Sequence, residues 1–162
     1  MDLRHTIERL AATEAVRDLI FAYSHLIDRG ELESVAALFA EARYGRCDGD
    51  GVPAGDPIER DRAAVHHAIE SFVRMHGAPP SPRTKHVTTN VRVTVAENNS
   101  EASTVSYVTV LQGTADLPLQ PILTGRYFDR FECVDGGWRF TQRLCCIDHM
   151  GNLTEHARRT LT

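Results

Sequence analysis

The apolar residues follow two different periods. Over residues 6–29, Val16, Ile20, Tyr23 and Ile27 recur every three or four positions, with Ala15, Leu19 and Leu26 beside them. That spacing predicts a helix, and Gly30 is a natural stop just past its end. Residues 31–40 form a second, shorter helix carrying Leu32, Val35, Leu38 and Phe39. A short strand over 42–47 and a Gly-, Asp- and Pro-rich loop over 48–57 follow. Helical spacing returns over 58–76 through Val65, Ile69, Phe72, Val73 and His76. Three prolines within 77–83 prevent its continuation.

From residue 85 the period becomes two. Residues 85–95 place Val87, Val91, Val93 and Val95 on one face, and His86, Thr88, Asn90 and Arg92 on the other. After a polar turn at 97–100, residues 102–112 and 121–134 read as strands, separated by a loop at 114–120. Asp135-Gly136-Gly137 is a hairpin signal. Its second arm spans 138–147, and 148–162 reads as a polar tail with room for one short helix. Helices first and a strand meander afterwards define an α+β class.

The 162 residues are one domain's worth, and 42% are hydrophobic, enough for a core. The formal charge of −4 removes most of the case for nucleic-acid binding. No apolar run approaches the roughly 20 residues a membrane span needs, and the N-terminus lacks a signal-peptide pattern, so the cytoplasm is the default compartment. Cys47, Cys133, Cys145 and Cys146 have neither C-x-x-C nor zinc spacing and read as free thiols. Neighbours Cys145 and Cys146 point to opposite faces of a strand. Asp48-Gly49-Asp50-Gly51 lacks the remaining ligands of a calcium loop and reads as a polar turn. Neither metal nor cofactor is expected.

Local sequences in this order resemble the SnoaL-like branch of the NTF2-like (cystatin-like) superfamily. The carrying segments are residues 15–23 with 27–30, 35–40, 85–90, and 124–127 with 136–140 and Arg143. The resemblance implies a cone in which helices pack on a curved, mainly antiparallel sheet and enclose a pocket. It is nearest the group of scytalone dehydratase, bile acid 7α-dehydratase and hexachlorocyclohexane dehydrochlorinase. That implies a cofactor-free lyase or isomerase working through a His–Asp dyad on an apolar, cyclic small molecule. A non-catalytic binding module and a structural small subunit of an oxygenase are the alternatives on the same fold. A homo-oligomer, trimer or dimer, is also implied.

By that resemblance His86 is the general base, Asp28 its orienting carboxylate, and Tyr23 a donor to a substrate oxygen. Tyr44, Arg143, Asn90 and Tyr107 are the candidate substrate-binding residues. The residues themselves add four points. A carboxylate in the last turn of a helix faces the negative end of the macrodipole, so Asp28 calls for a compensating partner. Tyr23 and Asp28 lie five apart, about 140° around an ideal helix, and converge only if the helix ends or bends. His86 sits on the polar face of its strand, so either the pocket is polar at that end or a bulge resets the register. The next strand offers no second strong acid or base, which leaves His149 as the tail's contribution if the tail folds over the pocket.

Overall fold

The computed structural model describes residues 2–158. Helix α1 (Leu3–Arg29) turns Ala12, Val16, Ile20, Tyr23, Ser24 and Ile27 inward along one stripe. It ends as the sequence predicts. Gly30 takes φ 77°, which costs glycine little, and Gly30 and Glu31 donate to the carbonyls of Ile27 and Leu26. Helix α2 (Leu32–Leu38) buries Leu32, Val35 and Ala36.

The expected helix at 58–76 is shorter than its apolar spacing suggests. Ile58–Glu59 forms strand β2, paired antiparallel with β1 (Arg43–Cys47). Helix α3 (Arg62–Phe72) begins where the Asp61 carboxylate accepts from the amide of Ala64 at 2.9 Å, a local cap that outcompetes earlier initiation. It stops at Phe72 because Val73 turns extended and bridges to Ala157 in the tail.

Strands β3 (Thr84–Val95), β4 (Glu101–Gln112), β5 (Gln120–Val134) and β6 (Gly137–Met150) form the meander. The six-stranded sheet runs β2-β1-β6-β5-β4-β3, antiparallel throughout except for the parallel β1–β6 pair. β6 runs beyond residue 147, so Asp148, His149 and Met150 belong to a strand rather than to the tail.

On β3 the register shifts between Thr89 and Arg92, with Asn90 at φ 52°. A left-handed conformation is tolerable for Asn. His86 pairs with Val110 and Thr88 with Val108, whereas Val93 and Val95 pair with Thr104 and Ala102. All four β4 partners are buried. The bulge therefore puts His86 and Thr88 on the same helix-facing side as Val93 and Val95, and leaves Val87 exposed outside.

The core lies between this inner face and the helices, around Val16, Ile20, Phe39, Val65, Phe131 and Phe140. On the outer face, Cys47, Leu144 and Cys146 form a smaller cluster with Phe128. All four cysteines are free. Among the described residues no helix is long and apolar enough to cross a membrane.

Candidate active site

The sheet and helices α1 and α3 enclose a cavity of about 490 Å³. Its walls are mostly apolar, with Ile27, Ile69, Phe72, Val73, Val108, Val110 and Leu123 among them. His86 enters from β3, Tyr23 from α1, Tyr44 from β1, and Tyr127 and Cys145 from β5 and β6.

Asp28, which does not itself line the cavity, makes the closest polar contact to the His86 ring. The Asp28 Oδ1 lies 2.6 Å from His86 Nδ1. Oδ2 accepts from the His86 backbone amide at 2.9 Å, and Oδ1 also accepts from the Thr84 hydroxyl at 2.8 Å. The two side chains are only 10% and 8% exposed. Burial alone would raise the Asp28 pKa. The hydrogen bonds and charge of His86, with the Thr84 hydroxyl, outweigh it and hold the carboxyl below its ordinary value. Facing an ionised Asp28, Nδ1 carries a proton, which places the lone pair of the neutral form of the ring on Nε2. The unfavourable acid at the end of α1 thus has its partners on β3. No bend is needed, because α1 stays helical to Arg29. His86 meets both groups, contacting Asp28 at one ring edge and Tyr23 edge-on, with centroids 6.1 Å apart.

Tyr23, Tyr44 and Tyr127 form a buried cluster. Burial and the neighbouring Cys145 push the Tyr23 hydroxyl up to about 12, although Arg143 and the Tyr44 and Tyr127 hydroxyls pull it back. Burial likewise holds Tyr44 and Tyr127 well above the ordinary tyrosine value. All three are protonated near neutral pH and available as donors. Tyr127 was not singled out from the sequence for this role. Its inward position was legible, since it shares a face of β5 with Ile122, Asp129 and Phe131 after one change of register.

Arg143 is not part of the cavity wall. It is fully buried in a two-point ion pair with Asp129, Nε to Oδ1 at 2.9 Å and Nη2 to Oδ2 at 2.6 Å. Its guanidinium lies 4.4 Å from the Tyr23 ring centroid and 4.2 Å from that of Tyr127. The arginine therefore acts on the cavity through the two rings it supports. Burial raises the Asp129 carboxyl, and Arg143 opposes that rise.

Two expected pocket residues lie elsewhere. Tyr107 is 51% exposed on the outer face of β4, paired with Thr89. Asn90 is exposed at the bulge, where its value is conformational. The bulge that reverses the phase of β3 also leaves Asn90 off the inward face that carries His86.

The tail folds back, but it does not deliver His149. That residue is exposed on β6 and hydrogen-bonds Thr124 at 3.1 Å. His156 comes to the cavity instead. The tail's backbone is strapped in place. Arg74 donates to the His156 carbonyl at 2.7 Å, and His76 Nε2 and Gln112 Nε2 donate to the Glu155 carbonyl at 2.6 and 3.1 Å. Burial, with the charges of His86 and His76, lowers His156 to about 4, while Asp28 pulls upward. Sequence reasoning missed His156 because no periodicity marks the tail. Residues 159–162 of the expected tail lie outside the described residues. Among the described residues, no group of three His, Cys, Asp or Glu side chains is arranged to hold a metal ion.

Helices packed on one face of a curved, unclosed sheet, with a pocket between, define the NTF2-like (cystatin-like) α+β class. The SnoaL-like domain model matches residues 8–144, and the chain belongs to that family. A provisionally assigned scytalone dehydratase from Novosphingobium aromaticivorans is similar at 26% identity and TM-score 0.64, over 90% of each chain. The β subunit of a provisionally assigned aromatic-ring-hydroxylating dioxygenase from the same organism is 20% identical, TM-score 0.69, over 91% of this chain and 97% of that one. LinA is 19% identical, TM-score 0.67, over 93% and 95%. No curated protein matches the chain.

Proposed function

We propose that this chain is a cofactor-independent lyase or isomerase acting on an apolar, cyclic ketone. The observation that carries the reading is the 2.6 Å contact of His86 Nδ1 with a buried carboxylate, at the wall of a mostly apolar cavity. His86 Nε2 takes a proton from the carbon next to the carbonyl. Asp28 fixes the ring's orientation and balances the imidazolium charge, as the acid of a triad does. Tyr23 and Tyr44 donate hydrogen bonds to the carbonyl oxygen as negative charge develops on it. A positioned base supplies about 10²–10⁴-fold, and preorganised donors in a water-poor site supply the remainder. The similarity to a provisionally assigned scytalone dehydratase supports an elimination on a ring substrate.

The test is deuterium exchange at C2 of 1-tetralone in D2O, followed by NMR. The folded wild type is expected to accelerate exchange, and His86→Ala is expected to abolish the acceleration. Exchange that survives in a folded His86→Ala variant removes His86 as the base.

A further inference from the structure

The parallel pairing of β1 with β6 brings two of the four cysteines together. Cys47 stands directly across the ladder from Cys146. Both belong to the outer-face cluster with Leu144 and Phe128, and they are only 8% and 5% exposed. Neighbouring strands lie about 4.7–4.9 Å apart, and a disulfide spans Cα separations of about 4.4–6.8 Å. The two thiols already interact side chain to side chain. Cys145 lines the cavity on the opposite face of β6. Cys133 pairs with Trp138 at the hairpin end of β5. Neither is placed to compete for the pair.

Packing alone does not account for the surroundings of Cys146. Its thiol donates to Asp148 Oδ1 at 3.5 Å, and Arg126 Nη2 lies 3.6 Å from its sulfur. The same guanidinium grips Asp148 at 2.6 and 3.0 Å and donates to the Gly49 carbonyl at 2.8 Å. A thiol kept to fill space needs neither a carboxylate to accept its proton nor a cation beside its sulfur. Oxidation needs both, because the thiolate is the attacking species. The neighbouring cover is a surface turn, with Gly51 against the Phe128 ring and Val52 57% exposed. A molecule little larger than water therefore reaches the pair by displacing a turn and not the core.

We propose that Cys47 and Cys146 are a redox pair that hydrogen peroxide closes into a disulfide, fastening β1 to β6. The inference stands apart from the chemistry assigned to His86. The Cys146 sulfur attacks one peroxide oxygen and the O–O bond breaks. The thiol proton passes through Asp148 to the departing hydroxide, which leaves as water. Cys146 is then a sulfenic acid. The Cys47 sulfur attacks the Cys146 sulfur, the S–O bond breaks, and the second hydroxide leaves as water with the Cys47 proton. Two thiols lose two electrons in all, and one peroxide is reduced to two waters. Burial raises both thiols, Cys47 to about 11, while Arg126 pulls each back. Closure is therefore slow, and the reduced pair gains little from ionising, so the disulfide resists reduction once made. The strands it joins also supply Tyr44, Gly45, Arg46, Cys145, Cys146 and Ile147 to the cavity wall.

The test treats folded, reduced wild type with hydrogen peroxide, followed by thiol alkylation in urea and non-reducing peptide mapping. The intact mass is expected to fall by two hydrogens, the four thiols to two, and one crosslinked peptide to join Cys47 to Cys146. Dithiothreitol should restore all four. Four remaining thiols, a bond between any other cysteines, or sulfinic acid at Cys146 beside a free Cys47 each overturn the proposal. So does a 47–146 bond that forms only in urea. Cys47→Ser and Cys146→Ser should each abolish the crosslink, and an intramolecular disulfide persisting in either overturns the pairing. The oxidised wild type should melt about 5–10 °C above the reduced protein, since the bond closes a long loop. An unchanged or lower midpoint overturns the fastening of β1.

Discussion

Replacing His156 by phenylalanine should flatten the acid side of the stability profile. In the unfolded chain this imidazole takes up a proton as pH falls through 6.5, whereas in the folded protein it resists until about 4. Between those values the unfolded state binds more protons, so stability falls as pH is lowered. At about 1.36 kcal/mol per pH unit, the whole interval is worth about 3 kcal/mol. Between pH 7 and pH 4.5 the same linkage gives about 2 kcal/mol. Asp28 works in a separate window. Its lowered pKa gives stability that is complete above the ordinary value of 3.8 and lost only as pH falls below it. Urea titrations of wild type and His156→Phe at pH 7 and pH 4.5 isolate the contribution, since the other histidines are common to both chains. The wild type should lose about 2 kcal/mol more than the variant over that interval. A difference under about 0.5 kcal/mol would mean that water reaches the imidazole and that the strap does not seal it.

Asp28→Asn should leave the fold intact and lower C2 exchange of 1-tetralone by about 10²–10⁴-fold, because the amide neither fixes the Nδ1 proton nor balances the imidazolium. Kinetics at saturating ketone check this, and an unchanged rate would sink the dyad. Arg143→Met strands the fully buried Asp129 charge and should cost about 3–5 kcal/mol in urea unfolding, with much of that regained in the Arg143→Met, Asp129→Leu double variant. Equal stability of the two variants would contradict the account. Gly125→Ala puts a Cβ against the Cys146 carbonyl oxygen, so its thermal midpoint should drop by several degrees for each kcal/mol of forced displacement. Asn90→Val should cost about 1–2 kcal/mol for holding a β-branched residue at positive φ, whereas Asn90→Gly should be close to neutral. Denaturant midpoints distinguish the two.

The parts of the fold that were legible share one property: a local signal and the tertiary demand agree. The stripe through Val16, Ile20, Tyr23 and Ile27 is buried as its spacing predicts, and Gly30 caps the helix by its own conformational freedom. Asp135 and Gly136 both take positive φ in the predicted hairpin turn. The pairing of Asp28 with His86 could be expected from a misplaced acid and a family resemblance, but its geometry depends on where α1 crosses β3. Sequence spacing overran at α3, since Val73 and His76 satisfy helical periodicity yet bridge to Ala157 and Ser81. Arg143 looked like a pocket cation because one chain pattern cannot show that Asp129 lies across the ladder from it. His156 left no local trace, because its burial is imposed by partners about 40 to 80 residues away, at Gln112, His76 and Arg74.

The bulge at Asn90 and Val91 has a consequence for how this strand can change. It makes β3 two lengths of opposite phase, with even-numbered residues inward before it and odd-numbered residues inward after it. The imidazole's direction is therefore counted from Thr84 and the Asp28 contacts, while the valines are counted from the far end. A one-residue insertion past the bulge can be absorbed by shifting the slack at Asn90, leaving the chemistry aimed as before. The same insertion between Thr84 and His86 would turn the imidazole out to solvent. Divergent sequences of this architecture can thus re-cut the far half of the strand in length and composition while the near half keeps its frame.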